Sequence, residues 1–167
     1  PDQPDLASEM RRRAHVYLEA FFAAPHDLDQ AIFVIGFHKD GSLDDSHTTT
    51  IWGSRYGRTP ASYTALPCLC AYRLTRDNRF LAWAEAVGRC YLTEPFPAHT
   101  TVPAMDAGMG LGLLADLHDL TGDPLWLNLE RAGELIEIYF GQNDLPRGAS
   151  GIDWYESQMG PGFFLHG

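Results

Sequence analysis

Residues 101–129 read TVPAMDAGMGLGLLADLHDLTGDPLWLNL. A carboxylate, Asp106, stands just ahead of three alternating glycines, Gly108, Gly110 and Gly112. An apolar run of helical spacing follows, then a tight turn into a second helical segment. Two parts of this stretch recur. Leu120-Thr121-Gly122-Asp123 is echoed 46 residues earlier by Leu74-Thr75-Arg76-Asp77. Asp106-Ala107-Gly108-Met109-Gly110-Leu111-Gly112 is echoed 50 residues later by Glu156-Ser157-Gln158-Met159-Gly160-Pro161-Gly162. Self-similarity at a period near fifty marks a repeat architecture.

The flanking sequence extends that pattern to both sides. Leu6, Met10, Ala14, Tyr17, Leu18 and Phe21 fall at three- and four-residue steps and predict a first helix over residues 6–24, ended by Pro25. Thr59-Pro60 reads as an N-cap followed by proline at the first helical position, opening a helix to about Leu74. Asp77 caps the next, which turns Phe80, Leu81, Ala84, Val87 and Tyr91 inward. A helix from about Asp106 to Leu120 follows, then one opened by Asp123-Pro124 and closed at Gly141. A sixth is expected from about Trp154. The short turns make the second and third helices, and the fourth and fifth, antiparallel hairpins.

One segment breaks the helical rhythm. Residues 31–37 (AIFVIGF) are apolar and β-branched and predict a strand. Lys39-Asp40-Gly41-Ser42 supplies hairpin-turn chemistry, and residues 48–52 (TTTIW) would return. Asp40, Asp44 and Asp45 lack the spacing of a calcium-binding loop and read as a solvated acidic turn. The sequence therefore predicts one all-α domain over residues 1–167, built of αα-hairpins, with a small β-hairpin insertion near residues 31–52.

Bulk properties narrow the function. The chain has 167 residues, 45% of them hydrophobic and 20% charged, as a folded domain requires. A net charge of −10 argues against nucleic acid and anionic membrane as partners. No run approaches the ~20 apolar residues of a membrane span. Cys68, Cys70 and Cys90 give neither a disulfide framework nor a zinc site, so no metal and no cofactor is expected. The chain opens without Met and stops where its echo, Gly112 to Leu117, is still helical; a longer parent is expected.

Gly108 and Gly112 share one helix face while Gly110 looks elsewhere. Each costs roughly 1 kcal/mol against alanine, so close approach of another backbone or of a ligand is expected there. Asp106 and Glu156 hold equivalent places at helix starts. Capping the helix is one reading of them. The other is a shared cleft in which two carboxylates serve as general acid and base. Aromatic and polar side chains suited to sugar rings surround them in sequence: His47, Trp52, Arg55 and Tyr56 in the insertion, and Trp154 and Tyr155 before Glu156.

Met105-Asp106-Ala107-Gly108-Met109-Gly110, with Leu113-Leu114 and the Leu120-Thr121-Gly122-Asp123-Pro124 turn, resembles a hairpin of the six-hairpin (α/α) toroid glycosidases. It is most similar to the unsaturated glucuronyl and rhamnogalacturonyl hydrolases. That resemblance implies an (α/α) toroid, of which this chain would be part. It also implies an oligosaccharide substrate containing uronic acid, and Asp106 as the acid/base that protonates a vinyl ether and activates water. It covers residues 60–140 and, more weakly, 154–165. The aromatic expected two positions before the acid is Ala104, and that pattern stands instead at Trp154-Tyr155-Glu156. A polysaccharide lyase or sugar epimerase on the same fold, and a non-catalytic HEAT-like scaffold, are the alternatives. The long insertion favours the enzyme, because scaffold repeats have short loops.

Overall fold

The two Leu-Thr-x-Asp turns fold alike, bond for bond. In the first, the Thr75 hydroxyl donates to the Ala71 carbonyl at 2.8 Å, the Asp77 N–H donates to Thr75 Oγ1 at 3.2 Å, and Asp77 accepts from the Arg79 N–H at 3.0 Å. In the second, Thr121 donates to Leu117 at 2.7 Å, the Asp123 N–H donates to Thr121 Oγ1 at 3.2 Å, and Asp123 accepts from the Leu125 N–H at 2.9 Å. Both put the third residue in the left-handed region: Arg76 at φ 60° and Gly122 at φ 71°. Each threonine hydroxyl adds a second bond to the carbonyl four residues back in its own helix, and aspartate satisfies an N–H at the next start.

The computed structural model describes residues 4–53, 58–153 and 160–166. Its elements are α1 (Pro4–Ala23), β1 (His26–Asp27), β2 (Ile32–Phe37), β3 (Leu43–Thr48), α2 (Ser62–Thr75), α3 (Asn78–Thr93), α4 (Ala104–Thr121), a 3-10 turn (Pro124–Trp126), α5 (Leu129–Tyr139) and α6 (Pro161–His166). The protein is thus mostly helical with a small three-stranded antiparallel sheet, β1-β2-β3. The α2 and α3 helices pack as a hairpin, and α4 lies against α2, α3 and α6. One core joins α2, α3 and α4 through Leu69, Phe80, Trp83, Val87, Leu113 and Leu117. A second gathers Ala104, Ala107, Leu135, Tyr139 and Phe164.

Several elements depart from the sequence pattern, each for a local reason. Thr59-Pro60 does not start α2. It runs extended, as a residue before proline prefers, and pairs with Thr50: the Thr50 N–H donates to Thr59 at 3.1 Å and the Ala61 N–H to Thr50 at 2.7 Å. The helix begins two residues later. The β-hairpin closes sooner than expected, because Gly41 at φ 84° completes a tight turn in which the His38 N–H donates to the Ser42 carbonyl. The returning strand is therefore LDDSHT, not TTTIW. Asp123-Pro124 opens only a 3-10 turn, and Asn128 caps α5 afresh by accepting from the Arg131 N–H at 2.9 Å. Leu6, Met10 and Tyr17 of α1 are exposed, and only its last turns, with Leu18, Phe21 and Phe22, join the core. Gly160 stands outside α6, whereas its sequence counterpart Gly110 is in mid-helix. Pro161 supplies the reason: it disfavours helical geometry at the residue before it.

The alternating glycines explain why α4 can sit at the centre. A Cβ on Gly108 would overlap the Phe163 carbonyl and the Phe164 nitrogen, and one on Gly110 would lie 2.7 Å from the Tyr91 ring. Gly112 shares with Gly108, Met109, Leu66 and Phe163 the lining of a cavity of about 410 Å³. Gly108 admits the backbone of α6, and Gly110 admits Tyr91 from α3.

Two outcomes check this. Gly108→Ala, adding one methyl group, should destabilise by about 1–3 kcal/mol in thermal or urea unfolding, because the obstacle is backbone. Arg76→Gly should raise stability by about 1 kcal/mol, because a side chain at φ 60° pays a steric cost that glycine avoids.

Candidate functional site around Asp106

Asp106 is the third residue of α4, and its position is fixed from the start of that helix. Pro103 forms an antiparallel bridge with Ala149. The Ala104 N–H donates to Gly148 at 2.9 Å, and the Ser150 N–H donates to Val102 at 2.8 Å. Ser150 Oγ accepts from the Val102 N–H at 2.9 Å, and the Tyr139 hydroxyl donates to the Val102 carbonyl at 2.9 Å. A strand-like clamp from the loop after α5 therefore holds the segment entering α4, and Tyr139 ties it to α5.

A second segment arrives from the sheet. The Phe33 N–H donates to Thr49 Oγ1 at 3.0 Å and the Thr49 N–H to the Phe33 carbonyl at 2.9 Å. Thr50 pairs with Thr59 and Ala61, as above. Three residues on, Gly53 lies against Asp106: a Cβ there would overlap the carboxyl oxygen Oδ2. The β insertion thus ends with a backbone pressed against the acid of α4.

The carboxyl does not cap the helix. The N-cap is Pro103, without a side-chain bond, and the capping reading of Asp106 is set aside. Its side chain is only 3% exposed, and no described residue donates a hydrogen bond to it. Burial pushes its pKa from 3.8 to about 6. The positive end of the helix dipole favours the charged form, but desolvation is the larger effect. Three tyrosines feel its charge: Tyr63 of α2, Tyr91 of α3 and Tyr139 of α5. Each is held above its ordinary value, by burial first, with the Asp106 charge adding to it. Tyr63 is 40% exposed, and its hydroxyl approaches Met105 Sδ at 3.7 Å, so it marks the solvent side of the group. Tyr91 is fully buried, with the buried Ser62 against its hydroxyl.

Trp52 precedes Gly53 and packs against both cores. Its ring meets Tyr91 edge-on at 4.9 Å and Phe96 at 5.1 Å, its indole N–H donates to the Glu94 carbonyl at 3.2 Å, and the Arg131 guanidinium lies 5.6 Å from its centre. It also borders a cavity of about 580 Å³ lined by Asp29, Thr50, Cys90 and Glu94, which does not include Asp106. His47 is elsewhere, exposed on β3, with Nδ1 2.6 Å from Asp44 Oδ2. It lines a small cavity with Arg58. Asp44 also accepts from Ser46, and that hydrogen bond first, with the His47 contact, holds it down at about 2. Asp40 receives Ser42 in its turn. Arg55, Tyr56, Trp154, Tyr155 and Glu156 lie outside the described residues. The structure adds to Asp106 three residues not singled out from the sequence as neighbours of a carboxyl: Gly53, Tyr63 and Tyr91. Tyr63 lies in the first turn of α2, two residues beyond where the Thr59-Pro60 signature sets the helix start. Among the described residues no group of three or more His, Cys, Asp or Glu is placed to hold a metal ion, and no helix is long and apolar enough to cross a membrane.

A raised carboxyl pKa favours folding while the group is protonated. Its contribution is fully present below the unfolded value near 4 and is lost as pH rises through about 6. The lost stability is on the order of 3 kcal/mol. Asp106→Asn has no such titration, so the variant should match wild type near pH 4 and exceed it at pH 8. Parallel melting of the two proteins across this range checks it; a constant difference would mean that Asp106 titrates normally.

Comparison with protein-family models, with curated proteins and with solved structures returns no match to this chain.

Proposed function

We propose that this chain is a carbohydrate-active enzyme, or part of one, of the glycoside hydrolase type on an (α/α) toroid, with Asp106 as its general acid. The observation that carries the reading is the buried Asp106 carboxyl, to which no described residue donates a hydrogen bond, with its pKa near 6. A carboxyl poised there holds a proton in mildly acidic solution and can deliver it to a leaving oxygen or a vinyl ether. The packed α2–α3 hairpin and the contact of α4 with α2, α3 and α6 are what consecutive toroid hairpins require. The substrate class, a uronate-containing oligosaccharide, rests on the resemblance of residues 105–124. Tyr63, on the solvent side, offers a ring face to a sugar.

The surroundings weigh against lyase chemistry at this carboxyl. A lyase needs a base, and Tyr63, Tyr91 and Tyr139 all hold their protons more firmly than free tyrosine. An acid surrounded by protonated phenols donates better than it accepts.

Asn is nearly isosteric with Asp and cannot exchange a proton. Asp106→Asn should therefore lower turnover on a panel of saturated and unsaturated uronate oligosaccharides ~100-fold or more, while the fold survives. For wild type, kcat/KM should fall as pH rises past about 6, as the acid loses its proton. Full turnover by the Asn variant would remove Asp106 from the chemistry.

A further inference from the structure

Gly53 is buried, and the three nearest atoms that a Cβ on it would meet all belong to Asp106. Oδ2 would overlap it, Cγ would lie at 3.0 Å and Cβ at 3.7 Å. The end of the acid's side chain, and not the backbone of α4, therefore occupies the space beside position 53. The segment that brings Gly53 there is fixed at successive residues. Thr49 exchanges two bonds with Phe33, and Thr50 is bridged to Thr59 and Ala61. The Trp52 indole donates to the Glu94 carbonyl at 3.2 Å, and its ring meets Tyr91 edge-on at 4.9 Å. Tyr91 in turn fills the place left by Gly110, one helical turn beyond Asp106. One aromatic contact thus locates both the backbone at 53 and the helix that carries the acid. An acid that keeps its proton to about pH 6 is poorly served by a donor or a cation. Either would favour the carboxylate and draw the pKa down. The torsion that turns an aspartate carboxyl is soft, so a carboxyl without a partner needs another restraint to hold one orientation. A close wall of bare backbone restrains it by shape.

We propose that Gly53 is a positioning residue for Asp106: its backbone, anchored by Trp52, sets the orientation of the carboxyl by contact, and glycine is required there for the acid to keep its seat. A methyl group at 53 forces one of two changes. Either the carboxyl turns away, or the segment 49–53 lifts from α4. Both open the contact and let water reach the charge. As part of catalysis this rests on the reading of Asp106 as the acid; as a constraint between positions 53 and 106 it rests on the contact alone.

The first measurement needs no substrate. The Asp106 carboxyl carbon is followed by NMR from pH 3 to 8 in aspartate-labelled protein, with Asp106→Asn as the blank that assigns the signal. The facing titratable groups, Tyr63 of α2, Tyr91 of α3 and Tyr139 of α5, stay protonated across this range. The titratable residue of α6, His166, lines a cavity with Asp116 and Asp119, farther along α4. Gly53→Ala should lower the Asp106 midpoint by roughly one pH unit, because desolvation is what raises it. It should also lower the melting temperature. In an Asp106→Ala background the same change should lower it far less, because the carboxyl atoms that the methyl group would meet are gone. On uronate oligosaccharides, Gly53→Ala should lower kcat roughly 10-fold or more with KM little changed, as a misplaced catalytic group does. The pH at which kcat/KM falls should move down with the midpoint. An unmoved midpoint, with equal losses of melting temperature in both backgrounds, would mean that the glycine serves only the backbone, and the proposal is overturned. That result with Asp106→Asn still inactive leaves the acid chemistry standing. A lowered midpoint with Asp106→Asn fully active upholds the contact and overturns its part in catalysis.

Discussion

The backbone of α4 is approached from two sides, each time where a side chain would stand in the way. Gly108 admits the Phe163–Phe164 backbone of α6, and Gly110 admits the ring of Tyr91. Each helical glycine costs roughly 1 kcal/mol in chain entropy, so the helix is a poor one in isolation. What holds it is the close packing those positions allow, with Leu113 and Leu117 on one side and Ala104 and Ala107 on the other fully buried. The two cores meet across this helix, and the rest of the described chain is arranged around it.

The same closeness isolates Asp106. Its helix starts from a clamp made by Tyr139 and residues 148–150, and the opposite wall is the bare backbone of Gly53. A side chain at position 53 would displace the carboxyl. The carboxyl is nearly buried, and it holds its proton to about pH 6 despite lying in the first turn of a helix. Burial wins over the dipole because the dipole acts as a partial charge, whereas desolvation removes most of the hydration of a full one. The tyrosines around the carboxyl respond in the same sense, so the whole group is biased toward its neutral form.

The β insertion is integral to this arrangement. Phe33 stacks on Phe21 at 4.7 Å and meets Trp83 edge-on at 5.7 Å, which anchors β2 and the end of α1 to the main core. The chain then runs through Thr49 and Thr50 to Trp52, which is wedged between both cores, and Gly53 follows against the acid. A change in the length of the hairpin would be felt at the carboxyl through this short path. Glu19 of α1 pairs with Arg79 of α3, but on the exposed surface, where such pairs contribute little.

The sequence by itself determined what depends on neighbours along the chain. The Leu-Thr-x-Asp turns, the Asp77 cap, the positive-φ turn at Gly41, the Gly141 stop and the inward positions Phe80, Ala84, Val87 and Tyr91 are all local or periodic, and they stand where their spacing put them. The need for close approach at Gly108 was legible too, because a cluster of helical glycines violates local preference. Tertiary structure decided the rest. Thr59-Pro60 carries a helix-start signature, yet a bridge to Thr50 claims its backbone, and Asp123-Pro124 spends its cap on a single 3-10 turn. Gly160 echoes Gly110 in sequence and not in conformation, because Pro161 follows it. The neighbours of the carboxyl were hidden for a simpler reason: Gly53, Tyr63 and Tyr91 come from three separate segments, and no spacing along the chain encodes which of them face the same point. Nor could the sequence rank capping against burial at Asp106, since the dipole is a property of one helix and desolvation is a property of everything packed around it.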